Sequence, residues 1–266
     1  MTTIAFLTDF GLQDDFVGTC HGVIAQIAPD ARIIDVTHGI APQAVLQGAI
    51  VLRNTTQFLP VGVHLAVVDP DVGGNRRAIA VATEDGRAFV GPDNGLLALA
   101  ADDLGITAVH ELTDERYRLP EVSRTFHARD IFAPAAAHLA SGVGIDRLGP
   151  ALDPETLVRI RIPDPDVGRT QISATVIAVD RFGNVGTNLL RSHVDGLGVS
   201  AGDRVEIRLT FDRYYALVAG TFADAPPGEL ILYEDSYGLV TLAISRGNAA
   251  RLTGVRLGDE LRIAVT

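Results

Sequence analysis

The first residues of this sequence that could do chemistry are carboxylates near its N-terminus. Asp9 ends a short apolar stretch, and Asp14 and Asp15 follow closely. An aspartate at the carboxyl end of a strand could bind the hydroxyls of a ribose or a metal ion, whereas Asp14 and Asp15 could equally cap a helix. The seven histidines form no HExxH or similar signature, so we predict no metal ligand.

Two further stretches combine an acid, a cation and a base. Residues 67–77 leave an apolar run, pass through a glycine-bearing loop that contains Asp69, and end in paired arginines, of which Arg76 is the first. The loop matches neither GxxxxGK[ST] nor GxGxxG, so it is not a phosphate loop. Taken alone, Asp69 and Arg76 would be a structural ion pair, and His127 before an apolar helix would be a packing histidine. Catalytic and structural roles both stay open at this point.

An α/β arrangement must position these residues. Up to about residue 145, short β-branched runs alternate with helical patterns, and the carboxyl ends of such strands form the functional edge of an open sheet. The predicted strands are 4–6, 32–36, 63–68 and 78–82, and the predicted helices are 15–27, 42–58, 95–104 and 129–139.

The second part of the chain has a different pattern. Residues 162–168 contain two prolines and a glycine, which is typical of a domain boundary. We therefore predict an N-terminal α/β domain with a central, mostly parallel sheet (1–162), a linker (163–169) and a C-terminal antiparallel β-barrel domain (170–266). The barrel is predicted from strands at 171–179, 204–209, 214–218, 229–233, 239–244 and 260–265.

Composition excludes several classes of function. The formal net charge of -11 would repel a polyphosphate, so no nucleic-acid partner is expected. No apolar stretch approaches the roughly 18 residues needed to span a bilayer, and the N-terminus lacks the features of a signal peptide, so we expect a cytoplasmic protein without a membrane partner. The single cysteine, Cys20, cannot close an intrachain disulfide. A small-molecule substrate is favoured.

Several sequence blocks occur in a fixed order along nearly the whole chain. They are Thr8-Asp-Phe-Gly11 with Asp14-Asp15, Asp35-Val-Thr-His38, Val68-Asp-Pro-x-Val-Gly73 with Arg76, Gly91-Pro-Asp-Asn-Gly-Leu-Leu97, Thr125-Phe-His-x-Arg-Asp-Ile-Phe-Ala-Pro134, Asp180-Arg-Phe-Gly-Asn184, Thr221-Phe222, Ser236-Tyr-Gly238 and Gly247-Asn-Ala249. Together these blocks resemble the S-adenosyl-L-methionine hydroxide adenosyltransferases, relatives of the fluorinase and chlorinase enzymes.

The resemblance implies an enzyme that hydrolyses S-adenosyl-L-methionine (SAM) to adenosine and L-methionine. It places Asp69, Arg76 and His127 around a water molecule that attacks ribose C5' in line with the leaving sulfur. These residue types suit the chemistry, because a fixed cation stabilises a developing hydroxide and a neutral histidine accepts its proton. The sulfonium departs as a neutral thioether, so no general acid is required.

Binding roles carry over from the same resemblance. Asp9 resembles the ligand of the ribose hydroxyls, and Phe222 resembles the ring that stacks on adenine, although core packing is its alternative. Turn chemistry is the alternative for Asn184 and Ser236. The resemblance further places Asn184 and Ala249 at the edge of the adenine, and Asp180 and Ser236 at the methionine moiety. It also implies Phe126 and Asn248 as substrate-binding residues. The family further implies a homotrimer with intersubunit active sites, no cofactor and no metal.

Some positions depart from the family pattern. Asp71 stands where the hydrolases usually have glycine, and Ala128 stands where they usually have glycine and the fluorinase has serine. Asp69 occupies the position of the fluorinase tyrosine, and a carboxylate there would repel a halide. Two alternatives to the hydrolase therefore remain, a SAM-dependent halogenase and a non-catalytic adenosine or SAM binding module in which Asp71 has spoiled the water site.

Overall fold

The computed structural model describes residues 2–265 and divides the chain into two compact units, Met1–Ile160 and Arg161–Thr266. The domain limits expected from the sequence, 1–162, 163–169 and 170–266, stay a prediction. Part of the expected linker, Asp166–Val167, forms a short strand that pairs with the next strand of the second unit.

Between residues 2 and 160 the chain builds one sheet with helices beside it. The strands are β1 (Thr3–Thr8), β2 (Arg32–Thr37), β3 (Gly62–Val67), β4 (Ala78–Thr83), β5 (Ala88–Pro92), β6 (Ile106–Glu111) and β7 (Ala151–Leu152). The α-helices are α1 (Phe16–Ile27), α2 (Val45–Thr56), α3 (Ala98–Asp103) and α4 (Ala133–Ala140). Shorter helical segments are a π-helix at Ala128–Phe132 and 3₁₀ turns at Glu115–Tyr117, Ile145–Arg147 and Pro154–Thr156.

The sheet has the strand order β2-β1-β3-β5-β4-β6-β7. The pairs β1–β2, β1–β3 and β3–β5 are parallel, whereas β4 is antiparallel to β5 and β6, and β7 is antiparallel to β6. Among the strands described, all except β4 and β7 therefore share one direction, which confirms the predicted mostly parallel sheet. The chain leaves the carboxyl end of β1 towards Asp9 and that of β3 towards Asp69.

Apolar layers cover both faces of this sheet. Successive strand side chains point to opposite faces, and Phe6 and Leu7 are both fully buried. Phe6 packs in a layer with residues of α1 and α4, and Leu7 packs in a layer with residues of α2 and α3. Burial on both faces explains why β3 is an almost continuous apolar run.

Between residues 161 and 265 the chain forms a β-barrel. Its strands are β8 (Asp166–Val167), β9 (Gln171–Val179), β10 (Val185–Leu190), β11 (Arg204–Arg208), β12 (Arg213–Val218), β13 (Leu230–Glu234), β14 (Leu239–Ile244) and β15 (Glu260–Val265). Its short helices are α5 (Arg191–Asp195), α6 (Ala249–Thr253) and a 3₁₀ turn at Phe222–Asp224.

Seven of the strands described in this unit close into a ring. The order β10-β14-β13-β12-β11-β15-β9 is completed by pairing of β9 with β10, and β8 adds to the outside of β9. The predicted barrel is thus confirmed, with one difference. The pair β12–β13 is parallel, because the chain crosses between them through Phe222–Asp224 instead of turning back in a hairpin.

Within the described residues no helix has both the length and the apolar character needed to span a membrane.

Candidate functional site

Asp69 and Arg76 form a buried, bidentate ion pair at the carboxyl end of β3. Arg76 Nε lies 3.0 Å from each carboxylate oxygen of Asp69, and Arg76 Nη2 lies 2.5 Å from Oδ2. The side chains of Arg76 and Asp69 are only 8% and 6% exposed. The guanidinium carbon also lies 5.1 Å from the centroid of the Phe132 ring. Two parallel hydrogen bonds fix the plane of the cation, so Arg76 presents its charge in one orientation.

His127 is joined to the same guanidinium. Arg76 Nη2 lies 2.8 Å from His127 Nδ1, and because a guanidinium has no acceptor, Nδ1 must be the acceptor. The neutral imidazole then carries its proton on Nε2. Burial, followed by the charge of Arg76, lowers the pKa of His127 from its ordinary value. His127 is therefore neutral at pH 7, and its basic nitrogen faces Arg76.

A π-helix sets the position of His127. His127 immediately precedes the π-helix Ala128–Phe132, and α4 follows with Pro134 in its first turn. Proline has no N–H, so the carbonyl of Asp130, four residues earlier, lacks its α-helical donor. That carbonyl instead accepts the N–H of Leu119 at 2.9 Å. The hydrogen bond from Leu119 thus holds a neighbouring loop against the segment that carries His127. Turns of π-helix are frequent at functional sites.

The carboxylate of Asp130 stabilises the same region. It is fully buried and accepts hydrogen bonds from the Ser123 N–H at 2.8 Å and from Arg129 Nε at 2.6 Å. Burial alone would raise the pKa of Asp130, but the hydrogen bonds from Arg129 and Ser123 outweigh it and lower the pKa. Asp130 is therefore ionised, and it holds the loop that precedes His127.

Asn94 plays a similar part for Asp69. Its side-chain amide donates to the carbonyl of Val68 at 2.8 Å, and its Oδ1 accepts the N–H of Leu96 at 3.2 Å. These bonds fix the backbone directly before Asp69. Asn94 and Asp130 both lie within the sequence blocks that carry the family resemblance. The sequence suggests a first-turn or cap position of a helix for Asn94 and no role for Asp130, because no local pattern contains the contact of Asn94 with the Val68 carbonyl or the loop that places Ser123 beside Asp130.

Asp9 lies in the turn that follows β1. Its Oδ2 accepts the N–H of Gln43 at 2.8 Å, and Gln43 has a φ of 67°, a conformation that costs free energy in a non-glycine residue. Nearby, Gly11 donates its N–H to the carbonyl of His38 at 2.7 Å. Asp9 Oδ1 takes no part in the Gln43 bond and is suited to accept a ligand hydroxyl. The predicted contact with ribose stays a prediction.

The two other acidic residues of this turn are exposed to solvent, and one of them contacts α1. Asp14 and Asp15 are exposed, and Asp15 precedes the first residue of α1 without accepting a capping hydrogen bond from its backbone. Asp15 Oδ2 instead accepts the hydroxyl of Thr19 at 3.2 Å.

Phe126 belongs to an aromatic cluster beside His127. Its ring centroid lies 5.2 Å from that of Phe16 and 6.1 Å from that of Phe10, both in edge-to-face arrangements. The Arg129 guanidinium covers it at 5.0 Å. Phe16 is 41% exposed, so the cluster offers an apolar wall to solvent. The predicted contact of Phe126 with substrate stays a prediction.

Asp71 faces solvent. Its residue is exposed, whereas the Asp69 side chain two positions earlier is only 6% exposed. The Asp71 carbonyl accepts the N–H of Gly74 at 2.9 Å, which closes a tight turn. This arrangement supports a turn-forming role for Asp71 and offers no support for a spoiled water site.

The barrel carries a second group of predicted residues in an open cavity. The cavity measures about 800 Å³ and is lined by Asp180, Phe182, Asn184, Phe222, Ala223, Ile244, Ser245, Arg246 and Gly247. Three of the predicted binding residues therefore share one cavity. Phe182 and Arg246 were not singled out from the sequence, although Phe182 lies inside a quoted block.

Asp180 and Asn184 are organised by mutual hydrogen bonds. Asp180 Oδ1 accepts the N–H groups of Phe182 and Asn184, both at 2.9 Å, and Asp180 Oδ2 accepts the side-chain amide of Asn184 at 2.7 Å. The Asn184 nitrogen is thus engaged, and its Oδ1 is oriented as an acceptor. An acceptor of this kind suits the exocyclic amino group of a purine.

Phe222 is a surface ring of this cavity. It is 40% exposed, and its centroid lies 4.9 Å from that of Tyr233. Phe182 is exposed further, at 70%. Core packing therefore does not account for Phe222, and both rings are available to stack on a flat ligand.

The remaining predicted residues do not line the cavity. Ser236 is exposed in the turn between β13 and β14. Asn248 caps α6 by accepting the N–H of Arg251 at 2.6 Å, and Ala249 is fully buried in the first turn of that helix. The cap fixes the chain that follows the cavity residue Gly247. Contacts of Ser236, Asn248 and Ala249 with substrate stay predictions.

Comparisons with known proteins identify relatives of the whole chain. Residues 4–149 match the model of the SAM hydroxide adenosyltransferase N-terminal domain, and residues 174–262 match that of the C-terminal domain. The (R)-S-adenosyl-L-methionine hydrolase of Salinispora tropica is 48% identical over 98% of this chain and 97% of its own length. The fluorinase of Actinopolyspora mzabensis is 28% identical, over 98% of this chain and 96% of its own.

A solved structure shares the complete fold. The crystal structure of an uncharacterized conserved protein from Thermotoga maritima matches with a TM-score of 0.91 at 37% sequence identity, covering 98% of this chain and 99% of the other.

Proposed function

The chain belongs to the SAM hydroxide adenosyltransferase family, and from that premise we propose that it hydrolyses SAM to adenosine and L-methionine. The observation that carries the proposal is the buried assembly of Asp69, Arg76 and neutral His127 at the carboxyl end of β3. A small-molecule nucleoside substrate also fits the cavity lined by Asn184, Phe182 and Phe222.

The reaction is a displacement at ribose C5'. A bond forms between the water oxygen and C5', the bond from C5' to sulfur breaks, and its electron pair neutralises the sulfonium as the thioether of methionine. One proton leaves the attacking water. Bulk water has a pKa near 15.7, so the protein must stabilise the developing hydroxide and accept that proton.

Arg76 and His127 divide these two tasks in our proposal. The bonds of Arg76 to Asp69 and His127 use Nε and Nη2, so Nη1 is the nitrogen we assign to the attacking oxygen. Nδ1 is the basic nitrogen of His127 in the tautomer that the contact requires. As charge develops on the oxygen, the Arg76 Nη1–H stabilises it. His127 Nδ1 exchanges its hydrogen bond from the Arg76 Nη2–H for the proton of the attacking water. Asp69 keeps the guanidinium in place throughout.

The binding contacts form the second part of the proposal. Asp9 Oδ1 accepts the ribose hydroxyls, Phe222 stacks on adenine, and Asn184 Oδ1 accepts from the adenine amino group. Asp180 and Ser236 bind the methionine moiety, and Phe126 lines the path of the leaving sulfur. Asn248 and the backbone of Ala249 complete the adenine pocket. In this proposal no cofactor or metal takes part in the displacement. The test is whether the protein still hydrolyses SAM after exhaustive treatment with a chelator.

Substrate stereochemistry, assembly and location complete the proposal. The Salinispora tropica relative is named as a hydrolase of (R)-S-adenosyl-L-methionine, and we extend this preference for the (R) sulfonium to the present chain. We further propose a homotrimer with intersubunit active sites, as the family resemblance implies, and a cytoplasmic location, which cell fractionation can check.

The direct test is hydrolysis in water enriched in oxygen-18. We expect adenosine and methionine in equal amounts, with the heavy oxygen in the adenosine 5'-hydroxyl and none in methionine. Arg76→Ala, which removes the cation, serves as the inactive control. Parallel reactions with added fluoride or chloride test the halogenase alternative through 5'-halo-5'-deoxyadenosine. Absence of both products would overturn the proposal, and tight SAM binding without turnover would favour the binding module.

A further inference from the structure

A second cluster of polar side chains lies in the first unit, between α1 and the end of β2. His21 lies on α1, Asp35 lies on β2, and His38 follows the end of β2. His21 Nε2 is 2.9 Å from Asp35 Oδ1, and His38 Nε2 is 3.1 Å from the same oxygen. The three ligand atoms all lie within 4.8 Å of one another. Two imidazoles and one carboxylate thus converge on one point.

His38 is buried and directed into this cluster. Its side chain is 3% exposed. Among residues 2–265 its buried Nε2 has no aligned hydrogen-bond partner, despite the short distance to Asp35. A buried polar atom in this state costs free energy unless it gains a ligand. The other ring nitrogen, Nδ1, lies 2.8 Å from the hydroxyl of Thr8. An outer contact of this kind fixes ring orientation and leaves Nε2 to bind a metal, as metal-bound histidines commonly show.

We propose that His21 Nε2, Asp35 Oδ1 and His38 Nε2 bind one Zn²⁺ ion. In a tetrahedral zinc site with bonds of about 2.0 Å, neighbouring ligand atoms lie about 3.3 Å apart. The two observed distances to Asp35 Oδ1 come close to this value, so small side-chain movements complete the site. His21 and Asp35 are 33% and 43% exposed, which gives the ion an entry path and leaves its fourth position to water. Imidazole and carboxylate ligands suit Zn²⁺ better than Mg²⁺ or Ca²⁺.

The proposed ion would hold together the base of the turn that carries Asp9. It joins α1, β2 and the segment after β2, and the His38 carbonyl accepts the Gly11 N–H at 2.7 Å. The ion takes no part in the chemistry at His127, so this inference stands apart from the proposed hydrolysis. The sequence predicted no metal ligand because the histidines match no ligand signature, and His21 is far in sequence from Asp35 and His38.

Calorimetry on the chelator-treated full chain tests the site with Zn²⁺ alone. We expect one ion per chain and a raised melting temperature. Thr8→Val, which removes the outer contact of His38, should weaken binding about 10–100-fold. Removing a direct ligand by His21→Ala, or the negative charge of one by Asp35→Asn, should weaken zinc binding by a similar or larger factor. His193→Gln in the barrel is the matched control and should bind as the wild type does.

Co²⁺ provides a spectroscopic readout of geometry. The wild type and His193→Gln should show the intense visible bands of tetrahedral Co²⁺, and His21→Ala should lose them. His21 lies half-exposed on a helix, so this variant keeps the test meaningful if Asp35→Asn fails to fold. Zinc affinity of His21→Ala within about twofold of the wild type, or a stoichiometry well below one, would overturn the proposal. Hydrolysis of SAM is measured separately and decides nothing about the ion.

Discussion

Arg76 Nη2 bonds to both Asp69 Oδ2 and His127 Nδ1, and this double role constrains what His127 does. A histidine in that position can act as a proton acceptor, or it can serve only as a neutral anchor for the guanidinium. Both roles need Nδ1, so they cannot be separated by deleting the ring. The two roles can be separated by a side chain that still accepts a hydrogen bond from Arg76 but is not basic enough to accept a proton.

His127→Asn makes that separation, because the Asn Oδ1 replaces Nδ1 as acceptor for Arg76. If His127 accepts the proton, kcat for SAM hydrolysis should fall about 10²–10⁴-fold, with little change in the dissociation constant of SAM. Single-turnover kinetics and equilibrium binding measure the two quantities. His127→Gln, which places its amide near the Nε2 position, is the matched control for loss of the Arg76 contact. If kcat of His127→Asn is close to that of the wild type, His127 does not accept the proton and only holds the Arg76 guanidinium in place.

Asp71→Gly restores the residue that the family usually has in the loop after Asp69. Because Asp71 is exposed in a turn closed by the Gly74 N–H, we expect kcat to stay within about twofold of the wild type. Added chain entropy should lower the free energy of unfolding by about 1 kcal/mol or less. Chemical denaturation and a pH-rate profile provide the measurements. A large gain in activity would show that Asp71 reaches the attacking water after all.

At the scale of elements, Pro134 decides how the segment after His127 is wound. Pro134→Ala supplies an N–H that competes with Leu119 for the Asp130 carbonyl, so we expect the π-helix to relax towards an α-helix and to displace His127. A displacement of about 1 Å lowers kcat by up to about 100-fold. Pro154→Ala, also at the start of a helical turn but in a turn without site residues, is the control. Unchanged kcat in a stably folded Pro134→Ala would contradict this positioning role.

A buried histidine on β3 makes stability depend on pH. His64 is 1% exposed, stacks on Phe89 with centroids 4.9 Å apart, and has no hydrogen-bond partner at either ring nitrogen among the residues described. Burial, followed by the charge of Arg87, lowers the pKa of His64 from 6.5 to about 4. The unfolded chain therefore takes up this proton below pH 6.5, whereas the folded chain takes it up only near pH 4.

The free energy of unfolding should consequently fall as pH decreases from 6.5 to about 4, and His64 should contribute about 3 kcal/mol of that loss. His64→Leu removes this contribution, so its stability should decline less over the same range while matching or exceeding the wild type at pH 7. Urea titrations at several pH values measure the difference, with His193→Gln as control. Parallel stability curves for His64→Leu and the wild type would contradict the assignment.

The same elements show what sequence patterns can and cannot predict. Strands such as β1 and β3 were predicted because they are short apolar runs that alternate with helical patterns, and β9 was predicted as one of several runs separated by turn residues. The patterns missed β5, β6 and β10, as well as the two-residue strands β7 and β8. Strand β10 reads VGTNLL, where a glycine and an asparagine interrupt the alternation, and it is held by pairing on both sides. Such pairing is a tertiary effect that a local pattern does not contain.

For the site, the sequence indicated which residues take part but not which atoms they bring into contact. The resemblance named Asp69, Arg76 and His127, and the structure brings them within hydrogen-bond distance. The tautomer of His127 depends on which atom faces Arg76, so no sequence pattern specifies it. The supporting role of Asn94 depends on the Val68 carbonyl, which is far away in the sequence. The supporting role of Asp130 depends on the fold of the loop that brings the Ser123 N–H to its carboxylate.

At the scale of the whole molecule, the predicted site residues divide between the two units. Those assigned to water activation and ribose binding belong to Met1–Ile160, and those assigned to adenine and methionine belong to Arg161–Thr266. The proposed trimer with intersubunit sites therefore has a consequence that does not depend on any single contact. Two inactive chains, each damaged in a different unit, should complement each other.

Arg76→Ala and Asn184→Ala subunits provide this test. In a trimer of randomly mixed subunits at equal amounts, half of the first units and half of the second units are intact, so about a quarter of intersubunit sites should be complete. We expect SAM hydrolysis to recover to about that fraction after subunit exchange, which differently tagged subunits and native mass spectrometry can verify. Mixing two tagged forms of Arg76→Ala alone should restore nothing. If exchange is complete and activity does not recover, each site is built from a single chain, because a site within one chain always keeps one of the two substitutions.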